Sequence, residues 1–159
     1  VTGVQTCALP IYGNIRGEHV GLMHYTIGQR HGLGIGGTKD TDGEAWFACG
    51  KDLEKNILYV CQGFHNEKLY SDSLLASSLS FTTKDPQPNK FTCTAKFRYR
   101  QPDTEVDVEI LEDDKVKVVY KNPVRAVTPG QAVVFYDGDV CLGGAIIDEV
   151  YKDGEKLQV

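Results

Sequence analysis

No stretch of the 159 residues approaches the ~20 consecutive apolar residues that a membrane-spanning helix needs, so a helical membrane protein is excluded. No two cysteines stand in a C-x-x-C pair, which argues against a zinc ribbon or finger. Five cysteines are also too few for a small scaffold built on disulfides. Basic residues are in deficit: 17 Lys plus Arg against 22 Asp plus Glu give a net charge of −5. A protein whose whole surface clamps nucleic acid is thereby excluded, and any RNA contact must come from a local patch. Helical periodicity is missing after Pro86, and there is no internal repeat or low-complexity tract.

What is present is a globular composition, with 41% hydrophobic and 25% charged residues and a mean hydropathy of −0.29. The first residues stand apart. Val1–Ile11 has no charge, no period of 2 or 3.6, and none of the basic and apolar regions of a signal peptide. It reads as the in-frame translation of a sequencing adapter. Residues 1–11 are therefore expected to carry no structural role, Cys7 is set aside, and the natural protein is expected to extend upstream of Tyr12.

Beyond the segment lies a glycine-rich stretch containing HYTIGQRHGLGIGG, in which Thr26 is placed to cap a helical turn over Ile27–His31. Ala45–Cys49 and Asn56–Cys61 flank a Lys51–Lys55 turn and predict a hairpin. Asn66–Ser80 suits a helical turn followed by a strand. Pro86 and Pro88 mark the best boundary, dividing the chain into residues 12–80 and 81–159. The second part alternates in short runs, at Phe91–Tyr99, Val106–Ile110, Val116–Tyr120, Ala132–Tyr136 and Val140–Ile147, with turn residues between. Such spacing predicts a small sandwich or barrel. The fold class is mainly β: a small α+β domain followed by an antiparallel β-barrel.

The motifs are weighed against plain structural uses. HGLGIGG lacks the Lys-Ser/Thr of a phosphate loop and a preceding strand, so a tight loop is its default use. His19, His24 and His31 are spaced by five and seven residues, which does not gather them on a helix, and no metal site is expected. Cys49, Cys61, Cys93 and Cys141 sit among apolar neighbours and read as core fillers rather than nucleophiles. The run KFRYRQPDTEVDVE is the most informative charge pattern. A turn at Pro102–Asp103 would set Arg100 against Glu105, Arg98 against Asp107 and Lys96 against Glu109, as cross-strand ion pairs. The same side chains would equally form a phosphate-binding ridge with Tyr99 beside it. Both uses stand at this point.

Three phrases in register, GEHVGLMHYTIGQRHGLGIGG, KFRYRQPD and AVTPGQAVVFYDGDVCLGGAII, closely resemble the C-terminal part of the bacterial tRNA-specific 2-thiouridylases. The resemblance runs from about Gly13 to about Tyr151 and departs at Ala145, where a third glycine is usual. It implies a parent enzyme of the cytoplasm that uses ATP to adenylate the C2 oxygen of the wobble uridine in tRNAs for Lys, Glu and Gln. A cysteine persulfide, fed by a cysteine desulfurase or relay protein, then delivers sulfur. It further implies that the ATP-binding domain and both catalytic cysteines lie upstream, that no catalytic residue is in this chain, and that the barrel is similar to the second domain of elongation factor Tu. Arg98, Tyr99 and Gln131 match family residues that contact tRNA; Gln29 and Arg30 match the family signature without an assigned role. Neither DNA nor a membrane is an implied partner. The competing reading is a self-standing β-barrel binding module of translation-factor type.

Overall fold

The computed structural model describes residues 5–7, 15–35 and 43–159. The chain divides into two compact units, Val1–Leu69 with Gln158–Val159, and Tyr70–Leu157. The division falls earlier than the 80/81 boundary expected from Pro86 and Pro88. The reason is that the strand Tyr70–Phe81 is integral to the second unit's sheet, and the prolines lie in a loop within that unit.

In the first unit, strand β1 (Gln5–Cys7) pairs antiparallel with β2 (Gly17–His19). Part of the segment expected to have no structural role thus joins a ladder; residues 1–4 and 8–14 lie outside those described. A single 3₁₀ turn spans Leu22–His24 and another Glu67–Leu69. Among the described residues these short turns are the unit's helical content. The expected hairpin is present as β3 (Trp46–Asp52) and β4 (Ile57–Gln62), with a bulge between Ala48 and Gly50. Leu22, Tyr25, Leu33, Trp46, Ala48, Leu58 and Val60 form one buried cluster, against which Ile35 packs.

The second unit is a closed antiparallel barrel. Its strands are β5 (Tyr70–Phe81), β6 (Lys90–Lys96), β7 (Thr104–Ile110), β8 (Val116–Arg125), β9 (Ala132–Asp137) and β10 (Val140–Lys152), with a short β11 (Glu155–Lys156) folded back on β10. The order β10-β5-β8-β7-β6-β9 closes because β9 also pairs with β10. Alternation supplies the core: Leu74, Ala76, Ala95, Val106, Val108, Val116, Val118, Val133, Phe135, Ala145 and Ile147 are buried, while Glu105, Lys117 and Lys121 face out. Each full burial of a side chain such as Phe135 stabilises the fold by about 1.5–3 kcal/mol.

The β6–β7 register differs from the one drawn from charge complementarity. Lys90 lies opposite Glu109, Thr92 opposite Asp107 and Thr94 opposite Glu105. The turn is therefore a long loop, Phe97–Asp103, and not a tight Pro102–Asp103 reversal. Burial of Cys93 and Ala95 opposite Val106 and Thr104 sets this register, and exposed charges adapt to it. Lys90 bridges Glu109 at 2.8 Å, Lys121 bridges Asp107 at 2.6 Å, and Lys96 reaches Asp103 at 3.3 Å. Strand β8 runs past the expected Val116–Tyr120 to Arg125, and Pro123 lies within it. Pro123 sits where the partner of β5 jumps from Val119 to Val124, an irregularity that tolerates a residue without an N–H.

Candidate functional site

Antiparallel alternation puts the loop after β6 and the segment after β8 at the same end of the barrel. Pairing of Lys96 with Val134 then brings Phe97–Asp103 beside the start of β9. There Arg98, half-buried, donates from Nε to Gln131 Oε1 at 3.2 Å and from Nη2 to Thr128 Oγ1 at 3.3 Å. The expected Arg98–Asp107 pair is not formed: Asp107 instead accepts from Lys121 and from the Thr92 hydroxyl at 2.8 Å. Burial, and then the charge of Arg125, hold the Arg98 pKa below the ordinary guanidinium value. Tyr99, the next residue, is 94% exposed.

The acceptors are held from behind. The Thr128 hydroxyl donates to Ala126 O at 3.1 Å. Gly130, in the left-handed region with φ 81°, donates its N–H to Ile147 O, and Gln131 O accepts from Ile147 N, both at 2.8 Å. The T-P-G-Q turn is thus riveted to β10. Two residues selected by resemblance, Arg98 and Gln131, touch, and Tyr99 adjoins them. Sequence reasoning missed Thr128 and Gln101, although both lie inside the phrases already singled out, and Arg125, which immediately precedes the third phrase.

Gln29 is part of a different construction, in the first unit. Its Oε1 accepts from Thr26 N at 3.0 Å and its Nε2 donates to His31 O at 2.9 Å. The side chain of Gln29, not Thr26, organises this loop, and the expected helical turn over Ile27–His31 is replaced by two reversals. Arg30 is exposed on the wall of a cavity of about 590 Å³, with Leu33 and Trp46 on its other walls. Arg16 lies 5.8 Å from the Trp46 ring centre.

Among the described residues no group of three His, Cys, Asp or Glu side chains could hold a metal. Both ring nitrogens of buried His19 are engaged, Nε2 with Asn56 O and Nδ1 with Gly21 N, each at 3.0 Å. Cys141 is exposed at the start of β10 and not the core filler expected, while burial makes Cys49 and Cys93 poor nucleophiles. A hydrogen bond with Cys61, together with burial, raises the Cys49 pKa far above its usual value, and burial pushes Cys93 up to about 11.

Residues 71–147 match the family model described as an aminomethyltransferase β-barrel domain, and residues 8–62 match one described as a tRNA methyl transferase PRC-barrel domain. The second match begins inside the segment that composition sets apart. Fold and matches together define a protein of the β-barrel class that these two models describe. Over 145 residues, 91% of the chain, it is 64% identical to the tRNA-specific 2-thiouridylase MnmA of Listeria monocytogenes (strain EGD-e). It is 59% identical to the protein of that name from Bacillus mycoides and 58% to that from Bacillus thuringiensis, with the same coverage. The chain belongs to the tRNA-specific 2-thiouridylase family, and it spans 38% of the length of these curated relatives.

Proposed function

We propose that this chain is the C-terminal, tRNA-holding part of a cytoplasmic tRNA-specific 2-thiouridylase. The whole enzyme would use ATP to activate the C2 oxygen of the wobble uridine in tRNAs for Lys, Glu and Gln, and would take sulfur from a persulfide donor. The described residues do not fit ATP. Among the described residues there is no α-helix whose N-terminus could receive a phosphate. Adenylation and sulfur transfer would belong to the remainder of the family's length.

The observation that carries this reading is the Arg98 guanidinium, held by Gln131 and Thr128 beside the exposed Tyr99. The Gln131 amide and the Thr128 hydroxyl orient the guanidinium, and an oriented guanidinium fork suits a phosphate. Tyr99 offers a ring for stacking on an unpaired base and a hydroxyl for the backbone. The test is tRNA binding by the full-length enzyme. Arg98→Ala should weaken affinity about tenfold, as expected for loss of a charge-assisted contact. It should lower the salt slope by about one counterion. KM should change more than kcat, because binding rather than chemistry is lost. Unchanged affinity and salt slope in Arg98→Ala and Gln131→Ala would leave the barrel a structural module and favour the translation-factor-like alternative.

A further inference from the structure

The loop of residues 97–103 is fastened along its length. Phe97 is 2% exposed, and its ring centre lies 4.8 Å from that of Tyr120. Gln101 N donates to Arg98 O at 3.1 Å, which closes a β-turn with Tyr99 and Arg100 at its corner. The Gln101 side chain holds this turn to the end of β8, its Nε2 donating to Arg125 O at 2.9 Å. Pro102 fixes the next backbone angle, and Lys96 reaches Asp103 at 3.3 Å across the base of the loop. The backbone under Tyr99 and Arg100 is thus held in advance of any partner, and both corner side chains are exposed.

The charges around the turn are lopsided. Lys90, Lys96, Lys121 and Lys156 each meet a carboxylate. Arg100 does not. Glu105, its expected partner, lies opposite Thr94, and Asp103, the one acid of the loop, is engaged by Lys96. Among the described residues no carboxylate is set against the Arg100 guanidinium. Residues 96–102 carry Lys96, Arg98 and Arg100 without an acid, and residues 122–136, which supply Gln131 and Thr128 to Arg98, contain no acid at all. In a chain of net charge −5, this is the kind of local basic patch that contact with RNA requires. A guanidinium on a fixed turn presents a fork that suits a phosphodiester.

We infer that Arg100 is a further RNA-binding residue, which meets a backbone phosphate beside Tyr99; this rests on the tRNA-binding reading above. A phosphate contact has its own signature. It displaces counterions, so its loss lowers the dependence of affinity on salt as well as the affinity.

The experiment measures tRNA binding at several salt concentrations, using a full-length thiouridylase that carries this chain. Arg100 is exposed in a turn, so its variants should keep the fold. Arg100→Ala should weaken binding by between about threefold and tenfold and lower the salt slope by about one. Arg100→Lys should keep the slope, because the charge remains, and lose about twofold with the fork. Lys90→Ala removes a cation already bridged to Glu109 and should change neither quantity. Loss in Arg98→Ala with full affinity in Arg100→Ala overturns the inference and leaves the tRNA-binding reading intact. Weaker binding by Arg100→Ala at an unchanged slope also overturns it, because the contact is then not a phosphate. An equal loss in Lys90→Ala overturns it as well, as a general effect of charge. Full affinity in Arg98→Ala, Gln131→Ala and Arg100→Ala removes the reading and the inference together.

Discussion

Asp107 and Glu109 show how single residues spend the chain's negative charge. Hydrogen bonds from Lys121 and Thr92 hold the Asp107 carboxyl below its usual range, and Lys90 does the same for Glu109. A carboxyl whose folded pKa is depressed contributes stability above its unfolded value, near 4, and loses it as pH falls through the folded value. Asp107→Asn should therefore lower the melting temperature at neutral pH. The gap to the unsubstituted chain should close as pH drops below about 4, so melting curves from neutral to acid pH provide the check. Arg98 donates instead to an amide and a hydroxyl, those of Gln131 and Thr128. The resemblance singled out Arg98, Tyr99 and Gln131, but charge pattern alone suggested Asp107 as the arginine's partner. Arg98 and Gln131 are far apart in the sequence, and no local pattern reports a contact made by barrel closure. Gln29 was legible only as a signature residue, because a side chain that bonds backbone within a loop leaves no periodic trace.

Among the elements, β10 is the most demanding. It pairs with β5 on one side and β9 on the other, and its register shifts on both sides around Gly143 and Gly144. A Cβ at Gly143, where φ is 154°, would collide with the Ser80 carbonyl oxygen, and one at Gly144 would lie 2.8 Å from Val133 O. Gly143→Ala should destabilise the barrel by more than about 2 kcal/mol, since backbone on a facing strand must give way. Chemical denaturation of the purified chain measures it. Ala145, where the family usually has a third glycine, is buried in the barrel wall without penalty. A smaller effect is expected at the other end of the chain. Deleting residues 1–11 should speed hydrogen exchange in Gly17–His19, which pair with Gln5–Cys7, and leave Tyr70–Leu157 unchanged. Strand positions were legible because alternation of Val and charge is a local property. The β6–β7 register was not, because several alignments of acidic and basic side chains satisfy exposed charges equally. Burial of Cys93 and Ala95 chose between them.

At the scale of the molecule, the two units follow the contacts and not the prolines. Tyr70–Leu157 produced alone should give a single cooperative melting transition, since its six-strand cycle is complete within it. A proline pair announces a loop, and only the partners of the flanking strands say whether that loop also separates domains. The closure of β9 on β10 and of β10 on β5 has a consequence for synthesis on the ribosome. The barrel's first strand has its second neighbour in the last of the six barrel strands to be made, with Ser73 opposite Tyr151. Until β10 emerges, β5 and β9 each present an open edge, the kind of surface on which nascent chains stick to one another. Chains terminated ahead of Val140 are then aggregation-prone debris and substrates for proteolysis, not weaker versions of the finished protein.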